Sequence, residues 1–188
     1  MARARLHPLL EQIRGQLGDV VFKRYGDRVV VSRKPDMSGV APSEAQRRQR
    51  ARFAAANAYA RAAMADPELR RVYAAAAVTQ PAFRMAMADF LHPPRVTAVD
   101  LSAYAGGAGE VIEIDAEDGF EVTRVVVVLR DGSGVEIESG AAARAPSGRW
   151  RYRTQTTAAA GPVHVEATAY DRPGGSGILT AGKTLGQG

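Results

Sequence analysis

The sequence predicts an α+β fold: an N-terminal β-hairpin and two to three helices, followed by a seven-stranded β-sandwich. Three observations predict it. Two β-rich runs meet at Gly26-Asp27, apolar residues recur at helical spacing between Ser43 and Leu91, and from Arg95 onward the period falls to two. His92-Pro93-Pro94 marks the change of period, which gives a basic hairpin-plus-helical domain over 1–94 and a β-sandwich domain over 95–188.

A short first helix is expected from about Pro8 to Leu17. The runs Asp19–Tyr25 and Arg28–Lys34 then read as strands around a tight turn, and Pro35 ends the second. Such a ribbon is marginal alone and needs a sheet or helix to lie against. Ser43-Glu-Ala-Gln46 is a capping-box signature for a helix reaching Ala65, with Phe53, Ala56, Ala60 and Met64 on its apolar stripe. Asp66-Pro67-Glu68 supplies an N-cap, a proline at the first helical position and an early acid for a second helix to about Val78. A third, from Thr79-Gln80-Pro81 to Leu91, presents Phe83, Met87 and Phe90.

Seven strands are expected beyond Arg95: Val96–Ala103, Val111–Ala116, Glu121–Arg130, Val135–Glu138, Arg149–Gln155, Val163–Tyr170 and Ile178–Thr184. Gly- and Pro-bearing turns separate them. In the sixth, Val163, Val165, Ala167 and Ala169 face inward. The continuous apolar run Val125–Leu129 suits a central strand covered on both faces.

Composition narrows the function classes. The chain has no cysteine, which excludes disulfides and thiolate metal sites. Its three histidines, His7, His92 and His164, form no ligand pair at helical spacing. Residues 1–94 hold 16 Lys/Arg and 8 Asp/Glu, a net +8, whereas 95–188 hold 9 and 12, a net −3. Opposite charge in the two halves favours docking within a chain or head-to-tail contact between chains. No apolar run is long enough for a membrane span, and the start of the chain carries no apolar stretch of signal-peptide length. Location is therefore open between the cytoplasm and release or export, within an assembly, by a non-Sec route.

The segments Ile112–Gly119, Val125–Asp131, Gly140-Ala141, Trp150-Arg-Tyr152 and Val165–Asp171 resemble bacterial Ig-like modules. The resemblance covers 95–185 and implies an Ig-like β-sandwich of the kind that serves as a spacer, adhesive unit or decoration on surface and virion proteins. It departs from antibody-type domains in lacking the paired cysteines, and its only tryptophan sits on a late strand. Residues 14–53 loosely resemble an uncharacterised bacterial family that opens with a Gly-rich hairpin and a Gln/Arg/Phe helix. The matching residues are Gly15, Gly18, Val21, Gly26, Arg33, Pro35, Ser43, Gln46, Arg50 and Phe53. No activity comes with that likeness.

Three surfaces are candidates for contact with a partner. Val20, Val21, Phe22, Tyr25, Val29 and Val31 give the hairpin an apolar surface suited to assembly. Arg47, Arg48, Arg50 and Arg52 could grip a polyanion or acidic protein, although four arginines within six helical positions spread around the axis, and a solvated helix start is the favoured reading. Arg149, Arg151 and Arg153 alternate with Trp150, Tyr152 and Thr154, so the guanidinium groups share an outer face, where they should meet Glu or Asp, while the aromatics enter the core. Glu113, Asp115 and Glu117 share one strand face, but no spaced calcium loop accompanies them.

No nucleophile elbow, phosphate loop or dinucleotide fingerprint occurs, and no catalytic residue, cofactor or metal is expected. The expected function is a non-catalytic structural subunit that forms a homo-oligomer such as a filament, sheath or virion-type structure. The alternative is a monomeric binding module acting through the Arg-rich helix. A nucleic-acid partner and a small-molecule substrate are not expected.

Overall fold

The computed structural model describes residues 14–26, 28–36, 39 and 41–186, grouped into two compact units that divide between Gln46 and Arg47.

In the first unit β1 (Gly15–Leu17), β2 (Val20–Tyr25) and β3 (Arg28–Arg33) form an antiparallel sheet in that order. The expected hairpin is present, with Gly26 at a φ of 62° in its turn, a conformation open to glycine at no steric cost. The expected first helix is corrected in part. Positions 8–13 lie outside the described residues, and Gly15–Leu17 is an edge strand. Gly15 and Gly18 bracket that strand, each with positive φ, and no helical turn accommodates them.

The helix α1 (Glu44–Ala65) opens with the reciprocal capping box. Ser43 N–H donates to Gln46 Oε1 at 2.9 Å, and Gln46 N–H donates to Ser43 Oγ at 3.2 Å. Asp66 caps α2 (Pro67–Ala76), its carboxylate accepting from the N–H groups of Glu68 and Leu69. The last helix, α3 (Ala82–Leu91), completes the layer. Its core is narrow: Ala60, Ala63, Tyr73 and Ala86 are buried, and small residues let the helices approach closely. Phe53, expected on the buried stripe, is instead 52% exposed, because Ala56, Ala60 and Ala63 take the inward positions.

All seven expected strands are present: β4 (Arg95–Asp100), β5 (Val111–Glu117), β6 (Arg124–Asp131), β7 (Glu136–Arg144), β8 (Trp150–Arg153), β9 (Gly161–Tyr170) and β10 (Ser176–Leu185). Their order, β10-β9-β6-β7-β8-β5-β4, is antiparallel throughout. Glu136 to Ala142 of β7 pair with β6 and its last residues, Ala143 and Arg144, pair with β8, so β7 turns the sheet back on itself as a β-sandwich. β4 and β10 then lie along a common seam, where Lys183 Nζ donates to Leu101 O at 2.8 Å. Val125, Val127 and Leu129 of β6, Ile112 and Ile114 of β5, and Trp150 and Tyr152 of β8 fill the interior. Gly140 of β7 leaves room for the Tyr152 ring, which a Cβ there would meet at 2.9 Å.

The helices from Arg47 onward and the sandwich lie in one compact unit. Phe120, just after β5, packs into the helical cluster with its ring 4.8 Å from that of Tyr73.

Candidate functional site

The sheet of the first unit sorts the candidate assembly residues onto its two faces. Directly opposed residues in an antiparallel ladder share a face. The pairs Leu17↔Val20, Phe22↔Val31 and Val20↔Arg33 place Leu17, Val20, Phe22 and Val31 together, and Val29, two residues before Val31, joins them. Val21 and Tyr25 lie on the opposite face with Lys23 and Val30. Four of the six expected residues are therefore neighbours on one side, and Leu17 extends their patch. No described residue of the sheet is buried; Leu17 is 74% and Tyr25 63% exposed. Among the described residues, the outer edges of β1 and β3 carry no further strand.

The four candidate arginines at the start of α1 do not converge. Arg52 donates to Leu91 O at the carboxyl end of α3, a position where a cation complements the helix dipole. Arg50 stands with Phe53, Asn57 and Arg61 along a shallow surface of α1. Arg47 and Arg48 are exposed and already engaged.

The arginine row of β8 is engaged as well. The register Glu113↔Arg151 brings the acids of β5 opposite it. Arg149 holds Asp115 through two bonds of 2.7 Å, Nε to Oδ1 and Nη2 to Oδ2, and also reaches Glu113. Arg151 Nε donates to Glu113 Oε1 at 2.8 Å, and Arg153 Nη1 donates to Gly109 O at 2.7 Å. The Arg149 guanidinium keeps the Asp115 carboxyl below the usual carboxylate range. Trp150 and Tyr152 are buried behind this row, so no aromatic is offered for base stacking.

A polar cluster that the sequence reading did not single out lies where the helices meet the sandwich. Tyr59 of α1 and Tyr73 of α2 are joined at 2.7 Å between hydroxyl oxygens, and Tyr73 donates to Asp89 Oδ2 of α3. Asp89 is only 4% exposed. Burial raises its pKa to about 6; the Tyr73 bond opposes that rise, and the charges of Asp118 and Asp171 add to it. The same desolvation raises Tyr73 and Asp171 above their ordinary values. One signal in the sequence pointed here: Asp89 is the sole acid in the otherwise apolar run Met85–Leu91.

No protein-family model and no curated protein matches this chain. Solved structures do show similarity. One is CopC from Methylosinus trichosporium OB3b, at 14% identity and a TM-score of 0.38, covering 49% of this chain and 92% of that one. Another is a tetra-tandem repeat in the extending region of a large adhesion protein, at 19% identity and a TM-score of 0.35, covering 50% and 23%. A conjugative transposon lipoprotein from Bacteroides eggerthii DSM 20697 shows 12% identity and a TM-score of 0.25, covering 47% and 92%. Likenesses this distant carry nothing about ligand, partner or assembly. Among the described residues, no helix is long and apolar enough to cross a membrane.

Proposed function

We propose that this chain is a non-catalytic structural subunit that assembles with copies of itself through the sheet of β1, β2 and β3. The observation that carries this reading is the apolar face of Leu17, Val20, Phe22, Val29 and Val31, half-buried or exposed throughout and flanked by two strand edges that pair with no further strand among the described residues. Such a surface invites strand pairing and aggregation unless it is covered. Every copy carries the same sheet, so its edges can add to a neighbour's strands while the apolar face is buried between subunits. The net +8 of residues 1–94 against the −3 of 95–188 favours a head-to-tail arrangement. Contacts of that type close into rings or propagate into filaments. A filament, sheath or virion-type structure is the form this reading expects.

Light scattering across a salt series, with negative-stain microscopy of the same samples, tests the proposal. Large regular particles are expected for the full chain, and a chain lacking residues 1–35 should remain dispersed. A 20.0 kDa monomer at every salt and concentration would overturn it. So would particles that form equally well without residues 1–35.

A further inference from the structure

Asp89 is the most deeply buried acid of the helical layer, and the groups around it come from every element that packs there. Tyr59 faces it from α1 through Tyr73, and Tyr73 faces it from α2. His92 follows on its own helix, with Nδ1 bonded to Ala88 O at 2.8 Å. From the sandwich come Asp118 and Glu121, between β5 and β6, and Asp171 and Arg172, between β9 and β10.

The hydrogen-bond inventory of this junction is uneven. Tyr73 gives its proton to Asp89 Oδ2, so Tyr59 must be the donor to Tyr73. Asp118 Oδ2 accepts from the N–H groups of Phe120 and Glu121, and Asp171 Oδ1 accepts from Gly175 N–H. The second oxygen of each acid, Asp89 Oδ1, Asp118 Oδ1 and Asp171 Oδ2, is buried and makes no hydrogen bond to the protein. Arg172 stands among them, but its Nη2 is committed to Glu121 Oε2 at 2.6 Å and its Nε is buried without a partner. Three carboxylates and Glu121 thus gather at the boundary between helices and sandwich, where Arg172 is bonded to Glu121 and where His92 and Arg95 lie beside Asp118. Like charges at short range in a desolvated site favour uptake of a proton.

We propose that this junction is a proton-responsive latch: uptake of a proton by Asp89 tightens the seat of α1–α3 on the sandwich, so the helical layer is held more firmly at mildly acidic than at neutral pH. The sign follows from linkage. Burial and the neighbouring acids raise Asp89 in the folded chain to about 6, whereas an unfolded aspartate titrates near 4. The folded state therefore binds more protons in that interval. The cost of a charged Asp89 is fully present above the folded value, shrinks as pH falls through it, and is gone below the unfolded value. Asp171, also raised by burial, acts in the same direction.

The test is amide hydrogen exchange on the full chain at pH 7.5 and 5.0, corrected for intrinsic rates, together with a carboxyl-carbon NMR titration of Asp89. The opening constant of α1–α3 amides should fall on the order of tenfold at the lower pH, while β6 and β9 amides change little. The Asp89 carboxyl should titrate with a midpoint above 5.5. In Asp89→Asn, which retains an acceptor for Tyr73, the helical amides should lose most of that pH response, Asp171 keeping the remainder. A midpoint below 4.5, equal exchange at the two pH values, or an unaltered response in the variant would each overturn the proposal. If the variant fails to fold, the titration and exchange of the unmodified chain decide the matter alone.

Discussion

Tyr73 links two roles that are usually separate, since its ring packs on Phe120 of the sandwich and its hydroxyl donates to a buried carboxylate. Tyr73→Phe keeps the ring and removes the donor, leaving Asp89 Oδ2 buried without its hydrogen bond. The loss should be about 1–3 kcal/mol of unfolding free energy by urea denaturation. The Tyr73 bond favours the charged form of Asp89, so its removal raises that acid further. The deficit should consequently be larger at pH 7.5 than at pH 5. Arg149, by contrast, was legible from alternation alone. A two-residue period put Arg149, Arg151 and Arg153 on one face, and Glu113 and Asp115 shared a face on another strand. What alternation could not supply was that β5 and β8 are neighbours in a register that sets Glu113 beside Arg151. The Tyr59–Tyr73–Asp89 chain was legible only at Asp89, the one acid of an apolar run; its partners come from two other helices, and each looks ordinary within its own periodicity.

At the scale of elements, the close crossing of β10 over the start of β4 depends on a residue without a side chain. A Cβ at Gly177 would stand 2.1 Å from Pro94 O, and backbone cannot move aside as a flexible side chain would. Gly177→Ala should lower stability by about 1–3 kcal/mol, seen as a reduced thermal midpoint. Capping chemistry was the most readable layer of the sequence: Ser43 with Gln46, and Asp66 with Pro67, mark helix starts where the structure has them. β7 was readable only as far as Glu138. Ser139-Gly140-Ala141-Ala142-Ala143 lacks the β-branched residues that announce a strand, and pairing with β6 and β8 holds it extended regardless. The opposite error occurred at Gly15–Leu17, where an apolar helical pattern upstream obscured two glycines set for turns.

For the whole molecule, the two hydrophobic clusters both belong to the unit that begins at Arg47. A chain of residues 36–188 should therefore unfold cooperatively, within a few degrees of the full chain at equal pH, when followed by circular dichroism at a concentration where neither assembles. A collapse of its thermal transition would show that the second unit needs the N-terminal sheet to fold. Charge asymmetry between the halves was visible from counting residues. The engagement of individual arginines was not, because Arg52 finds its acceptor at Leu91 and Arg149 finds Asp115 only after the chain has folded.

The seam between β4 and β10 also sets a timetable. Lys183 closes onto Leu101 across 82 residues of sequence. At about 5–20 residues per second, synthesis delivers that last strand some 4–16 s after the first. Long-range closure of this kind is also slow in itself. The hairpin and helices are thus synthesised while the sandwich still lacks its final strand, so in a subunit that assembles through its N-terminal sheet, that sheet would emerge before the module can close.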